Sequence, residues 1–252
     1  MVLAKRALFV MLCMLTIVAC TGPSPEALSP VTAQPSTVEC IVEIGESDSI
    51  SVSHSRRLRG VAEDSRNASV KVYSMDRSVR GSGTYFKLNG HDIIITAAHV
   101  VRNMPLVEVV TTAGESKVAV VAYSELEESR DYAVLLLVEP LETVTAMELD
   151  ILRDYDGLIG ESVVYTGYPA HHERLTIFGA VANIDEDYVI MQSYAWPGAS
   201  GSIVFDDRGR AIGVLRAIDV NRTPFGPQLT EDVVWLHPMR DMDLDKISKF
   251  LD

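Results

Sequence analysis

From Ala68 onward the chain is a series of short apolar runs divided by turn residues, and this pattern limits what it can fold into. Runs of this length rich in Val, Ile, Tyr and Phe read as β-strands, and their even spacing suits an all-β barrel architecture. The expected strands are Ser69–Ser74, Gly83–Leu88, Asp92–Thr96, Leu106–Thr112, Lys117–Ala122 and Tyr132–Val138, with Gly81-Ser82-Gly83, Asn89-Gly90 and Gly114 as separators. Asn89-Gly90 between two apolar runs predicts a tight hairpin, because both of its central residues need positive φ. A weakly periodic connector, Pro140 to Gly160, follows. Strands then resume at Ser162–Thr166, Arg174–Ala182, Tyr188–Ser193, Ser202–Phe205, Ala211–Ala217 and Val233–Leu236. At the end Leu244, Ile247 and Leu251 recur at helical spacing, with Asp241 and Asp243 near the positive end of the short helix they predict.

Three stretches carry chemistry. Trp196-Pro197-Gly198-Ala199-Ser200-Gly201-Ser202 sets a serine between glycines, where a tight turn would expose its hydroxyl. The Gly198 and Ser200 amides would converge there on the oxygen of a tetrahedral intermediate. A serine hydroxyl needs a base, and the base needs an orienting acid. His99 in Thr96-Ala97-Ala98-His99-Val100 directly follows an apolar run and is the candidate base. Asp131 opens the run Tyr132 to Leu137 and is the candidate acid, with Asp154 and Asp156 as weaker rivals.

The order His, Asp, Ser excludes the subtilisin and α/β-hydrolase arrangements. In these three stretches, over roughly residues 67–252, the chain resembles the trypsin/chymotrypsin-like serine peptidases. The resemblance implies two six-stranded antiparallel barrels, the first about 67–139 with His99 and Asp131, the second about 160–240 with Ser200, and a short C-terminal helix. It implies a serine endopeptidase acting on polypeptides through an acyl-enzyme, with no cofactor and no metal. Tyr194, Ala195 and Arg216 would line the substrate pocket. Two departures stand out: Ala199 replaces the acid or amide many members place before the nucleophile, and Ser202 replaces a glycine. Ala199 offers no charge for a zymogen-type ion pair. Gly81-Ser82-Gly83 is similar to a stretch in secreted bacterial high-temperature-requirement proteases. A catalytically silent binding module on the same barrels, or an esterase with the same triad, are the alternative readings.

The first nineteen residues have the form of a secretory signal, with Lys5 and Arg6 before the apolar run Leu8 to Val18. Leu15-Thr16-Ile17-Val18-Ala19-Cys20 resembles a bacterial lipobox, which implies cleavage before Cys20, a lipid on its thiol, and a place in a bacterial cell envelope, held to a membrane. Residues 20–66 are then a tether, with Pro23, Pro25, Pro30 and Pro35 in its first half. Within it Val38 to Ile44 reads as a short strand and Glu46 to Asn67 as polar and irregular, with Arg56, Arg57 and Arg59 as a solvated charge run. With Cys13 in the signal and Cys20 lipidated, Cys40 is left without a disulfide partner. The net charge is −13, and removing Lys5 and Arg6 with the signal makes it −15, which disfavours nucleic acid as a partner. His171-His172 has no Cys or carboxylate at metal-ligand spacing and reads as a loop.

Overall fold

The computed structural model describes residues 46–251, apart from 128–129, 171 and 224–225. The signal, Cys20, the proline-rich stretch and the expected strand at 38–44 lie outside the described residues.

A helix opens the described chain: α1 runs Glu46–Ala68. Thirteen strands follow. They are β1 Ser69–Ser74, β2 Arg80–Leu88, β3 His91–Thr96, β4 Leu106–Val110, β5 Ser116–Leu126, β6 Asp131–Leu137 and the two-residue β7 Met147–Glu148, then β8 Ser162–Gly167, β9 Leu175–Ile184, β10 Val189–Gln192, β11 Ile203–Phe205, β12 Ala211–Thr223 and β13 Gly226–Pro238. A short helix, α2 Leu244–Ser248, ends the fold.

Strands β1 to β6 close an antiparallel barrel in the order β1-β4-β5-β6-β3-β2, with β2 returning to β1 and β7 added in parallel outside β2. Strands β8 to β13 close a second, in the order β10-β13-β12-β11-β8-β9. These are the two expected six-stranded barrels. The β2–β3 turn is the predicted one: Leu88 pairs with His91 across Asn89 and Gly90, both at positive φ.

Each barrel has its own core. Ile93, Ile95, Val107 and Leu135 fill the first; Tyr165, Met191, Ile212 and Leu236 fill the second, all buried. Val164, Ile203, Phe205 and Val214 from the second barrel turn toward the first, where Phe205 meets Phe86 at 6.3 Å between ring centroids. This shared apolar seam fixes the barrels against one another and so fixes the cleft at its edge.

Three expectations are corrected. Residues 46–67 are helical, not irregular, and α1 buries Leu58, Val61, Ala62, Ser65 and Ala68 against the barrels. The compact unit therefore begins before residue 67, and the later part of the expected tether belongs to it. Gly81-Ser82-Gly83 is not a separator but lies inside β2, where small residues let the nucleophile loop approach: a Cβ at Gly81 would stand 3.0 Å from the Ser200 carbonyl oxygen. Strands β12 and β13 run well past the expected apolar segments and pair with each other out to Thr223 and Gly226. Their outer halves are polar in sequence, so no apolar run marked them.

Helix α2 has the expected acidic start: the Asp243 carboxylate accepts from the Lys246 amide. It returns the chain to the first barrel, where Lys246 reaches Glu125 at 2.9 Å and Asn89 bonds Ser248 at 2.8 Å.

Candidate active site

Strand β3 ends at Thr96, and Ala97 and Ala98 are both fully buried. Their small side chains let the chain turn at once into a single 3-10 turn, Ala98–Val101, which projects His99 into the cleft. Its side chain is 36% exposed, whereas that of Asp131, at the head of β6, is 1% exposed.

Two bonds fix this pair. The His99 amide donates to Asp131 Oδ1 at 2.8 Å, and His99 Nδ1 lies 2.6 Å from Oδ2. Burial pushes the Asp131 carboxyl up, but the bond and charge of the His99 ring, the His99 amide and the charge of His237 together hold it below the usual carboxylate range. An ionised carboxylate only accepts, so Nδ1 carries the ring proton and Nε2 is left as the basic nitrogen.

Ser200 reaches the same cleft from the second barrel. Its carbonyl accepts from the Ser82 amide of β2 at 2.8 Å, and the following Gly201 amide donates to Leu215 at 2.8 Å. Gly201 sits so close to the first barrel that a Cβ there would be 2.9 Å from the Ala97 amide nitrogen, two residues before His99. The Ser200 hydroxyl donates to the Arg216 carbonyl at 3.3 Å. Among the described residues no hydrogen bond joins it to His99, so the proton-transfer contact is not made in this conformation.

The loop before Ser200 is held plane by plane. Ala170, at φ 53°, donates its amide to the Pro197 carbonyl at 2.8 Å. The Ala199 carbonyl accepts from Ser202 at 3.0 Å. In a trans peptide N–H and C=O point oppositely, so these bonds turn the Gly198 and Ser200 amides the other way. Neither amide donates to another group among the described residues. Gly198 sits at φ 105°, and a Cβ there would lie 2.6 Å from the Tyr168 carbonyl, so only glycine fits. The Gly198 and Ser200 amides are thus available to an oxyanion.

The structure joins His99 to Asp131, while the Ser200 hydroxyl is bonded to the Arg216 carbonyl and not to His99. The rivals Asp154 and Asp156 instead form a turn, in which the Asp156 amide donates to the Asp154 carboxylate. Of the expected pocket residues, Tyr194 is 38% exposed and Ala195 fully buried. Arg216 is half-buried, with 31% of its side chain exposed. Its guanidinium turns inward, with Nε 3.7 Å from Asp131 Oδ2 and Nη1 2.8 Å from His237 Nε2 and 3.2 Å from the Tyr188 hydroxyl. It is the bulged residue of β12, which swings its side chain out of the alternation that would have aimed it elsewhere. Sequence reasoning passed over Ser82, Ala170 and the backbone of Arg216. Only the Gly81-Ser82-Gly83 stretch gave a signal, and it was read as a separator and as a family likeness, with no role for the Ser82 side chain. His172 is exposed, and among the described residues no three His, Cys, Asp or Glu side chains are grouped to hold a metal.

Comparison with known proteins agrees with this fold. No curated protein sequence matches the chain significantly. Among solved structures, the serine endoprotease from Yersinia pestis superposes with a TM-score of 0.59 at 18% identity, covering 77% of this chain and 66% of that one. The HtrA-type protease AlgW with tripeptide gives 0.60 at 20% identity, covering 77% and 64%. Rv3671c from M. tuberculosis H37Rv, in an inactive serine-to-alanine form, gives 0.58 at 18% identity, covering 75% and 90%. The chain thus spans just under two thirds of the first two relatives. The trypsin-like peptidase domain matches residues 81–214, more than half of the chain and including His99, Asp131 and Ser200. With its two barrels and the residues at their cleft, the chain belongs to the trypsin-like peptidase family.

Proposed function

We propose that the chain is a serine endopeptidase. The observation that carries this reading is the His99–Asp131 pair, held by two bonds to a buried carboxylate and facing a serine loop with two unspent amides. His99 Nε2 takes the proton of Ser200 as the hydroxyl turns from the Arg216 carbonyl to attack a peptide carbonyl. The Gly198 and Ser200 amides hold the oxyanion, and Asp131 stabilises the imidazolium. The imidazolium then protonates the leaving amine. Water, activated by the same nitrogen, releases the acyl group from Ser200.

Substrate enters as an extended polypeptide beside Tyr194. Tyr194 carries no charge, and the Arg216 guanidinium is already engaged by Asp131 and His237. This supports preference for a small or medium apolar residue at the cleaved position. The test is labelling by a peptidyl phosphonate together with peptide hydrolysis. Ser200 should be the labelled residue, and Ser200→Ala should lose both signals. Turnover of esters without peptides would replace this reading with an esterase, and a folded Ser200→Ala that cleaves as fast as the parent would end it.

A further inference from the structure

We propose that Ser82 is a positioning residue that holds the oxyanion hole open through its side-chain hydroxyl. This rests on the peptidase reading above.

Ser82 is fully buried in β2, on the opposite barrel from the nucleophile. All of its polar atoms are spent. Its amide donates to the Ser200 carbonyl at 2.8 Å, and its carbonyl accepts from Thr96 Oγ1 at 2.7 Å. The hydroxyl accepts from the Tyr168 amide at 2.9 Å and lies 2.7 Å from the Gly198 carbonyl. An amide can only donate and a carbonyl can only accept, so the single hydroxyl proton is committed to Gly198.

That bond ties the peptide plane between the two oxyanion donors to the first barrel. The Pro197–Gly198 plane is fixed by Ala170, and the Ser200 carbonyl by the Ser82 amide. The Gly198–Ala199 plane lies between the two oxyanion donors. Within the loop it is held only by the Ala199 amide on Trp196 at 3.0 Å. Rotation of this plane would swing Gly198 and Ser200 relative to one another and break their convergence. Glycine at 198 makes the rotation easy, since it has access to both hands of φ. Ala199 is buried and apolar and brings no side-chain bond to resist it. The Ser82 hydroxyl supplies that resistance from the first barrel, and it ties the same point to Tyr168 and so to the Ala170 turn.

Removing the hydroxyl leaves the Gly198 carbonyl and the Tyr168 amide without this partner, and buried polar groups move to recover one. The loss should appear in the transition state and not in ground-state binding. In Ser82→Ala, kcat for peptide hydrolysis should fall ten- to hundredfold while KM stays within about twofold. Affinity for a peptide aldehyde, whose adduct carries the oxyanion, should fall by a matching factor. Ser82→Cys keeps a weaker donor and should lie between Ala and the parent. It serves as the test if the alanine variant does not fold. A kcat within twofold of the parent in folded Ser82→Ala, or in Ser82→Cys where only that variant folds, overturns the proposal, as does a loss confined to KM or one the aldehyde does not share. A parent that neither hydrolyses peptides nor takes the phosphonate at Ser200 overturns the peptidase reading itself, and this proposal with it.

Discussion

Arg216 Nε lies 3.7 Å from Asp131 Oδ2, the same oxygen that His99 Nδ1 approaches at 2.6 Å. A fixed cation thus shares the carboxylate that an imidazolium would need. The carboxylate that orients the ring is thus held from two sides. Arg216→Met removes one of them, so kcat for peptide hydrolysis should fall by up to about tenfold in a protein that still folds. An unchanged kcat in the folded variant would contradict the arrangement.

Glu125 predicts how the fold responds to acid. Burial pushes its carboxyl up, but bonds from Tyr123, Lys246 and Tyr132 outweigh this and bring it down to about 2 from an ordinary 4.5. A depressed carboxyl contributes stability that is present above the unfolded value and lost as pH falls through the folded one. Glu125 should therefore withdraw support from the β5–α2 contact between about pH 4.5 and pH 2. Allowing for solvent screening, the contribution is about 1–2 kcal/mol. Glu125→Gln should be less stable than the parent at pH 7 and close to it at pH 2, measured by urea unfolding at each pH. An equal gap at both ends would sink the assignment.

The barrels were legible in the sequence because their strands are written locally, and so was the His99–Asp131 pair. Val, Ile and Leu alternate or cluster over each strand, and His99, Asp131 and Ser200 each sit beside such a run. Helix α1 was not, although Leu58, Val61, Ala62 and Ser65 fall at i, i+3, i+4 and i+7. Two of the four are small, and the flanking Arg57, Arg59, Glu63, Asp64 and Arg66 hide so narrow a stripe. Ser82 was illegible for a different reason: its partners Gly198 and Tyr168 are more than eighty residues away. The stripe on α1 is testable on its own. Truncating Leu58 to Ala should cost about 2–3 kcal/mol if the helix is docked, read as a shift of the unfolding midpoint at constant m-value. Arg59→Ala, on the exposed face, should change stability by less than about 0.5 kcal/mol.

The membrane anchor is a proposal from the sequence alone. If Cys20 is lipidated, Cys20→Ala should release the protein from membranes or block its processing, while the purified domain from residue 45 onward keeps full activity. Because Ala199 brings no charge, that activity should not depend on which new N-terminus is exposed. Membrane fractionation with intact mass measurement checks the first point. Unchanged fractionation and mass would rule out the lipid.

The proposed triad makes the sharpest demand. Asp131 accepts from both the amide and the ring of His99, and no water-exposed route relieves it. In Asp131→Asn the new side chain carries one acceptor and one donor group. If its oxygen keeps the His99 amide, its NH2 faces the ring and forces Nδ1 to accept. The ring proton then moves to Nε2, where it blocks proton transfer from Ser200. Turnover should fall on the order of 10³–10⁴-fold with little change in peptide binding or melting temperature. Ser200→Ala and His99→Ala should each cost at least as much, and the double variant little more than either one, because the three residues act as one unit. Residual activity would come from the amides at Gly198 and Ser200, which none of these changes removes. Peptide hydrolysis by the four variants beside a melt of each decides the matter. Losses that multiply in the double variant would mean that Ser200 and His99 act in separate steps.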